Sequence, residues 1–110
     1  AEVLKKIHSD LELVDWGDNT EFDMIINATS LGLKEEDKIE LDFKKIGSGK
    51  LFYDVIYNPN KTNFLLKGEE LGNKIENGKM MFIFQAQLAF NIWHNILPKV
   101  DDETIKLLNV

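Results

Sequence analysis

The stretch D-V-I-Y-N-P-N-K-T, Asp54 to Thr62, puts an aromatic hydroxyl where it could meet a ligand. An apolar run ends on Tyr57, Asn58-Pro59 stops it, and a helical pattern opens after Thr62. The carboxyl end of a strand is where layered α/β sheets bind ligands, so Tyr57 is either a ligand contact or a rim residue. Asn27, Thr29 and Ser30 follow a second apolar run, where short polar side chains either meet a ligand or shape a turn and cap a helix. Gln85 and Gln87 lie within an apolar helical stretch. A glutamine there costs stability unless its amide is paired, so a backbone group or a ligand must satisfy it.

Other candidates fail on spacing. I-G-S-G-K-L-F carries a Gly-Lys pair, but a phosphate loop needs a glycine where Lys44 stands and a Ser or Thr where Leu51 stands. It also precedes a strand instead of following one, so it reads as a surface turn. No G-x-G-x-x-G occurs. His8 and His94 are far apart and neither has a metal-ligand partner one helical turn away, which makes both ordinary histidines.

The elements that must position these residues follow from hydrophobic period. Val3, Leu4 and Ile7 have helical spacing, and L-E-L-V-D, 11–15, alternates as a short strand does. Met24 to Ile26, which opens a strand ending at Ala28, and Leu51 to Tyr57 are dense apolar runs, expected as strands buried on both faces of a parallel sheet. A short helical turn is expected around Asp42 to Ile46. Thr62 is a good N-cap for a helix that Gly72 ends, and N-K-I-E-N is a third, short strand. A long helix runs from Lys79 to about Asn95, apolar on every side over its first turns. D-D-E-T-I-K-L-L-N-V closes the chain as a short helix with an acidic start. Strands alternating with crossovers make this an α/β fold.

Composition narrows the function. The 110 residues carry a net charge of −6 without a basic patch, so nothing supplies the phosphate neutralisation of nucleic-acid binding. The Lys79 helix is interrupted by Gln85, Gln87, Asn91 and His94 and is shorter than the roughly 20 apolar residues of a bilayer span, which argues against a membrane. There is no cysteine, hence no disulfide, thiolate metal site or cysteine nucleophile. A reducing cytoplasm is compatible with that and is the expected location. The chain opens inside a helical pattern without an initiating methionine, and on that ground it is expected to be part of a longer protein.

Three stretches, I-N-A-T-S-L-G, the Asp54–Thr62 run and E-N-G-K-M-M-F-I-F-Q-A-Q-L-A-F-N-I-W, together resemble the C-terminal part of shikimate dehydrogenases. That family has an Asn-Ala-Thr-like tetrad at a strand end, a D-x-x-Y-x-P-x-x-T turn and an N-G-x-x-M-x-x-x-Q helix entry. Asp54, Tyr57, Pro59 and Thr62 match the second motif. Asn77, Gly78, Met81, Gln85, Ala89, Phe90 and Trp93 match the third, and the match covers roughly residues 22 to 97. Where many members have Gly-Met, this chain has Met80-Met81, a larger residue at the helix entry.

The resemblance implies reversible, NADP-dependent reduction of 3-dehydroshikimate to shikimate, in aromatic amino-acid biosynthesis. It implies a partial Rossmann-like parallel sheet, its second half of about three to four strands, with flanking helices. Residues 1–78 would belong to the NADP-binding domain. Residues 79–110 would be helices that pack back on an N-terminal substrate domain. By carry-over, Tyr57 and Gln85 contact substrate, while Thr29, Ser30, Val55, Gly78 and Met81 line the cofactor. The family's catalytic lysine and aspartate and its glycine-rich pyrophosphate turn lie outside these residues, so the chain alone is expected to be inactive. The alternative is a non-catalytic binding or regulatory module that kept the fold. With the preceding strands absent, the edge of Met24–Ala28 is expected to pair with L-E-L-V-D or with a second copy of the chain.

Overall fold

The computed structural model describes residues 1–18 and 20–108. Three parallel strands, β1 (Met24–Asn27), β2 (Leu51–Asp54) and β3 (Lys74–Glu76), form one sheet in that order. The register sets Ile25 beside Phe52 and Phe52 beside Ile75, with Asn27 beside Asp54. Side chains alternate between faces. One row therefore holds Ile25, Phe52 and Ile75, and Asn27 and Asp54 lie on that same face nearer the carboxyl edge.

That face receives α3 (Asn63–Glu70). Thr62 starts it as expected, its hydroxyl accepting from the Leu65 amide at 3.4 Å. Gly68 lets the helix approach closely, because a Cβ there would lie 2.6 Å from the Phe52 ring. Gly72, at φ +80°, takes the left-handed conformation that turns the chain toward β3. Ile46, Phe52, Phe64 and Leu65 make the core, with Phe43, Ile25 and Ile75 packed against it. Ile46 comes from α2 (Phe43–Ile46), the short turn expected there. Phe52 and Phe64 approach to 5.0 Å between ring centroids, within the range where aromatic pairs attract.

The opposite face is open. Met24 is 48% and Ile26 55% exposed, which corrects the expectation of a strand buried on both sides. The apolar run does form a strand, but one layer covers it here. β2 is also shorter than the expected Leu51–Tyr57. It ends at Asp54, for a reason that concerns the site below.

Residues 11–15 form no strand, although L-E-L-V-D alternates as one does. β1 is hydrogen-bonded to β2 alone, and its other edge has no strand partner among the described residues. Pairing of L-E-L-V-D with β1 is therefore overturned. Alternation marks a segment that could sit half-buried in a sheet, but a ladder needs a neighbour in register.

The remaining helices are α1 (Glu2–Ile7), α4 (Lys79–His94) and α5 (Asp102–Leu107). α1 and α5 bury no residue, and α4 buries only Ile83. Phe84, Leu88, Ile92 and Trp93 are exposed on α4. No helix among the described residues is long and apolar enough to cross a membrane.

Candidate functional site

Parallel strands end on one edge, so the segments that follow β1, β2 and β3 gather there. These are the segments that carry the three motifs. Their local conformation is set by side chain to backbone bonds at each strand end.

After β1, Asn27 is buried and builds a turn. Its Oδ1 accepts from the Thr29 amide at 3.1 Å and the Thr29 hydroxyl at 2.7 Å, while its Nδ2 donates to the Leu31 carbonyl at 2.9 Å. The Thr29 hydroxyl accepts in turn from the Leu31 amide at 3.1 Å. Thr29 is thus committed to the turn, and its oxygen keeps one lone pair for anything else. Thr29 and Ser30 are both exposed.

Beyond the turn, Asp37 fastens the loop by accepting from the amides of Gly32 and Lys34, each at 3.1 Å. Those bonds, the Lys34 amide first, hold its carboxyl below the ordinary carboxylate value.

After β2, Asp54 Oδ1 accepts from the Ile56 amide at 3.0 Å. An acceptor two residues back competes with the ladder and bends the chain at Val55. Val55 and Tyr57 are left half-buried at the edge, and Ile56 turns into the core.

After β3, Asn77 ties two segments together. Its Nδ2 donates to the Asn60 side-chain oxygen at 2.7 Å, and its Oδ1 accepts from the Lys79 amide at 3.0 Å, where α4 begins. Gly78 then presses on the β2 loop. Its amide donates to the Ile56 carbonyl at 3.2 Å, and a Cβ at Gly78 would lie 1.9 Å from the Val55 oxygen. Only glycine fits this contact, which gives the N-G of the third motif a physical cause.

The contact also aims α4. The Tyr57 ring stacks on Phe82 with centroids 4.8 Å apart and planes at 25°. Gln85 follows Phe82 by three residues and so lies on the same helix face, one turn on. Val55, Gly78 and Tyr57 thus belong to one packed junction, with Gln85 next along the helix and Met81 half-buried at its start.

The two glutamines separate cleanly. Gln87 donates to the Pro98 carbonyl at 2.7 Å, the backbone partner that one reading required. Gln85 is exposed, so its amide is left for solvent or a ligand. The motif residues form an open ledge. A cavity of about 490 Å³ at the start of α3, lined among others by Gly32, Lys34, Pro59 and Thr62, includes none of Tyr57, Gln85 and Gly78. Its walls are the loops around Gly32 and Pro59 and the first turn of α3, whereas the ledge carries the motif residues Tyr57, Gln85 and Gly78.

Asp54 escaped the reading from sequence except as a motif position. It is fully buried and bonded to Asn27, Ile56 and Thr62. The available signal was a carboxylate inside the apolar run L-F-Y-D-V-I-Y. Among the described residues no group of three or more His, Cys, Asp or Glu could hold a metal ion.

No family model matches the chain. A shikimate dehydrogenase (NADP(+)) of Pelagibacter ubique is 59% identical over 107 residues, which cover 97% of this chain and 40% of that protein. Among solved structures, a chorismate mutase/shikimate 5-dehydrogenase fusion protein from Clostridium acetobutylicum superposes with a TM-score of 0.73. It is 29% identical, and the match covers 97% of this chain and 39% of that one. A shikimate dehydrogenase in complex with NADP+ gives a TM-score of 0.66 at 31% identity, over 77% of this chain and 30% of that chain. The chain therefore spans about 40% of the length of the curated relative.

Proposed function

Because the chain belongs to the shikimate dehydrogenase family, with a relative 59% identical over nearly its whole length, we propose that the protein carrying it is an NADP-dependent oxidoreductase. It interconverts shikimate and 3-dehydroshikimate, a step of aromatic amino-acid biosynthesis. The observation that carries this reading is the junction at the sheet edge. Gly78 packs on Val55, and Tyr57 stacks on Phe82 one turn before Gln85.

Each residue then has a chemical task. The Tyr57 hydroxyl and the Gln85 amide hydrogen-bond substrate oxygens and fix its orientation. Val55 and Met81 are apolar and half-buried, a surface that fits a nicotinamide ring, and Gly78 keeps the helix entry tight behind them. Thr29 and Ser30 meet the cofactor further along the edge. NADP, when bound, exchanges a hydride with the substrate carbon. The protons of that exchange need an acid/base group. On the family pattern it is a lysine with an aspartate outside residues 1–110, so these residues alone do not turn over.

Residues 1–78 act as part of the cofactor domain, and 79–110 as helices that return to the substrate domain. The exposed apolar side chains of α4 support that division. For residues 1–110 taken alone, the edge of β1 that has no strand partner among the described residues is where a second copy would pair. Light scattering tests this, and a monomer at assay concentration would exclude it.

The assay for the function follows reduced nicotinamide as the protein that carries this chain oxidises shikimate. Turnover with NADP supports the reading. Binding of shikimate or NADP without turnover would favour a non-catalytic module, and failure to bind either would overturn the assignment.

A further inference from the structure

Asp54 is completely buried, and the donors around it come from separate segments. Its Oδ2 accepts from the Thr62 hydroxyl at 2.6 Å and from Asn27 Nδ2 at 3.1 Å. Its Oδ1 accepts from the Ile56 amide at 3.0 Å and again from Asn27 Nδ2 at 3.1 Å. Asn27 and Thr62 are themselves 4% and 1% exposed. No lysine pairs with Asp54 in any salt bridge of the described residues.

A buried carboxylate without a cationic partner is a poor way to stabilise a core, since apolar residues of similar volume would do it at less cost. What these bonds do provide is geometry. Through Asn27 the carboxylate holds the Thr29–Leu31 turn, and through Thr62 the first turn of α3. Through the Ile56 amide it ends β2 and bends the chain so that the Val55 carbonyl meets Gly78 and Tyr57 meets Phe82. The Thr62 hydroxyl has no freedom in this, because it gives its proton to Asp54 and accepts from the Leu65 amide.

We propose that Asp54 is the positioning residue of the substrate edge, acting on the reaction through Tyr57 without touching substrate. This inference rests on the function proposed above. It adds a residue whose effect on rate depends on Tyr57 being present.

Asp54→Asn keeps the shape of the side chain but turns one acceptor into a donor facing Asn27, Ile56 and Thr62. In the protein that carries this chain, it should lower kcat/KM for shikimate by roughly 10- to 100-fold, the scale of a small misplacement of a contacting group. In a Tyr57→Phe background the same change should cost only a few-fold, because the group it positions is already gone. Thr62→Val should repeat the loss and Thr62→Ser should restore it. If Asp54→Asn no longer melts cooperatively, the Thr62 pair measured with and without Tyr57→Phe decides the matter by the same criterion. Full additivity with Tyr57→Phe would overturn the positioning role while leaving the site intact. A Tyr57→Phe enzyme with unchanged shikimate kinetics would instead overturn the site reading on which the inference depends.

Discussion

Gly78→Ala tests the junction with the smallest change available. Gly78 has φ −77° and ψ 3°, a negative-φ turn conformation open to alanine, so the cost comes mainly from contact. The new Cβ would stand 1.9 Å from the Val55 oxygen and 2.5 Å from its carbonyl carbon, where ordinary contact begins near 3.4 Å. Neither atom is the end of a flexible side chain. The helix entry and the β2 loop must therefore separate by about 1.5 Å to relieve the clash. A shift of that size lengthens the 3.2 Å bond from the Gly78 amide to the Ile56 carbonyl past any useful range. One lost backbone bond contributes about 1 kcal/mol and overpacking a further 1 to 3 kcal/mol. In the protein that carries this chain, a loss of roughly 2 to 4 kcal/mol should lower Tm by about 5 to 15 °C. The stack of Tyr57 on Phe82 spans the same junction, so shikimate kcat/KM should fall as well. Thermal melts followed by circular dichroism and steady-state rates measure the two effects. A variant that melts with the parent and keeps its kinetics would refute the close approach of Gly78 to Val55.

The other predictions address the elements around that junction. Gly68→Ala drives a Cβ to 2.6 Å from the Phe52 ring and should cost about 1 to 3 kcal/mol in denaturant titrations, with site kinetics less affected than stability. Asn73→Ala leaves the Gly47 and Gly68 carbonyls and the Lys50 amide without their side-chain partner. It should cost about 3 kcal/mol on the same titration. Asp101 caps α5 by accepting from the Thr104 amide at 3.0 Å and the Thr104 hydroxyl at 2.8 Å, and these bonds lower its pKa below the ordinary 3.8. With the folded value depressed, the stabilisation is complete above pH 3.8 and is lost as pH falls through the folded value. Amide signals of α5 followed by NMR from about pH 5 to pH 2 should show fraying in acid. Asp101→Asn, which still caps, should reduce that pH dependence to what Asp102 and Glu103 in the first turn contribute.

Where the sequence could be read, the signals were local. Thr62 and Gly72 delimit α3 because a cap oxygen and a left-handed glycine act within a few residues. α4 was legible from its long apolar run, broken only by single polar residues, and α5 from its acidic start. Residues 11–15 form no strand because alternation is a property of a segment, whereas a strand needs a neighbour in register, and 11–15 has none among the described residues. Burial of Met24 and Ile26 failed for a similar reason, since an apolar side chain does not specify how many layers cover it. At the site, Gln85 and Gln87 look alike in sequence. Their fates differ because one reaches the Pro98 carbonyl and the other points along the Tyr57 side of the helix, a distinction set by where the chain turns after α4. The role of Asp54 needed its partners on three segments, which no local pattern reveals.

The most direct test of the sheet edge as the substrate edge is a pair of steady-state titrations on Tyr57→Phe and Gln85→Ala. Shikimate and NADP are varied separately in the protein that carries this chain. Loss of a hydrogen bond to a polyhydroxylated ligand should weaken use of shikimate by about 1 to 3 kcal/mol in each variant, with KM for NADP nearly unchanged. Shikimate parameters equal to those of the parent in both variants would contradict the account.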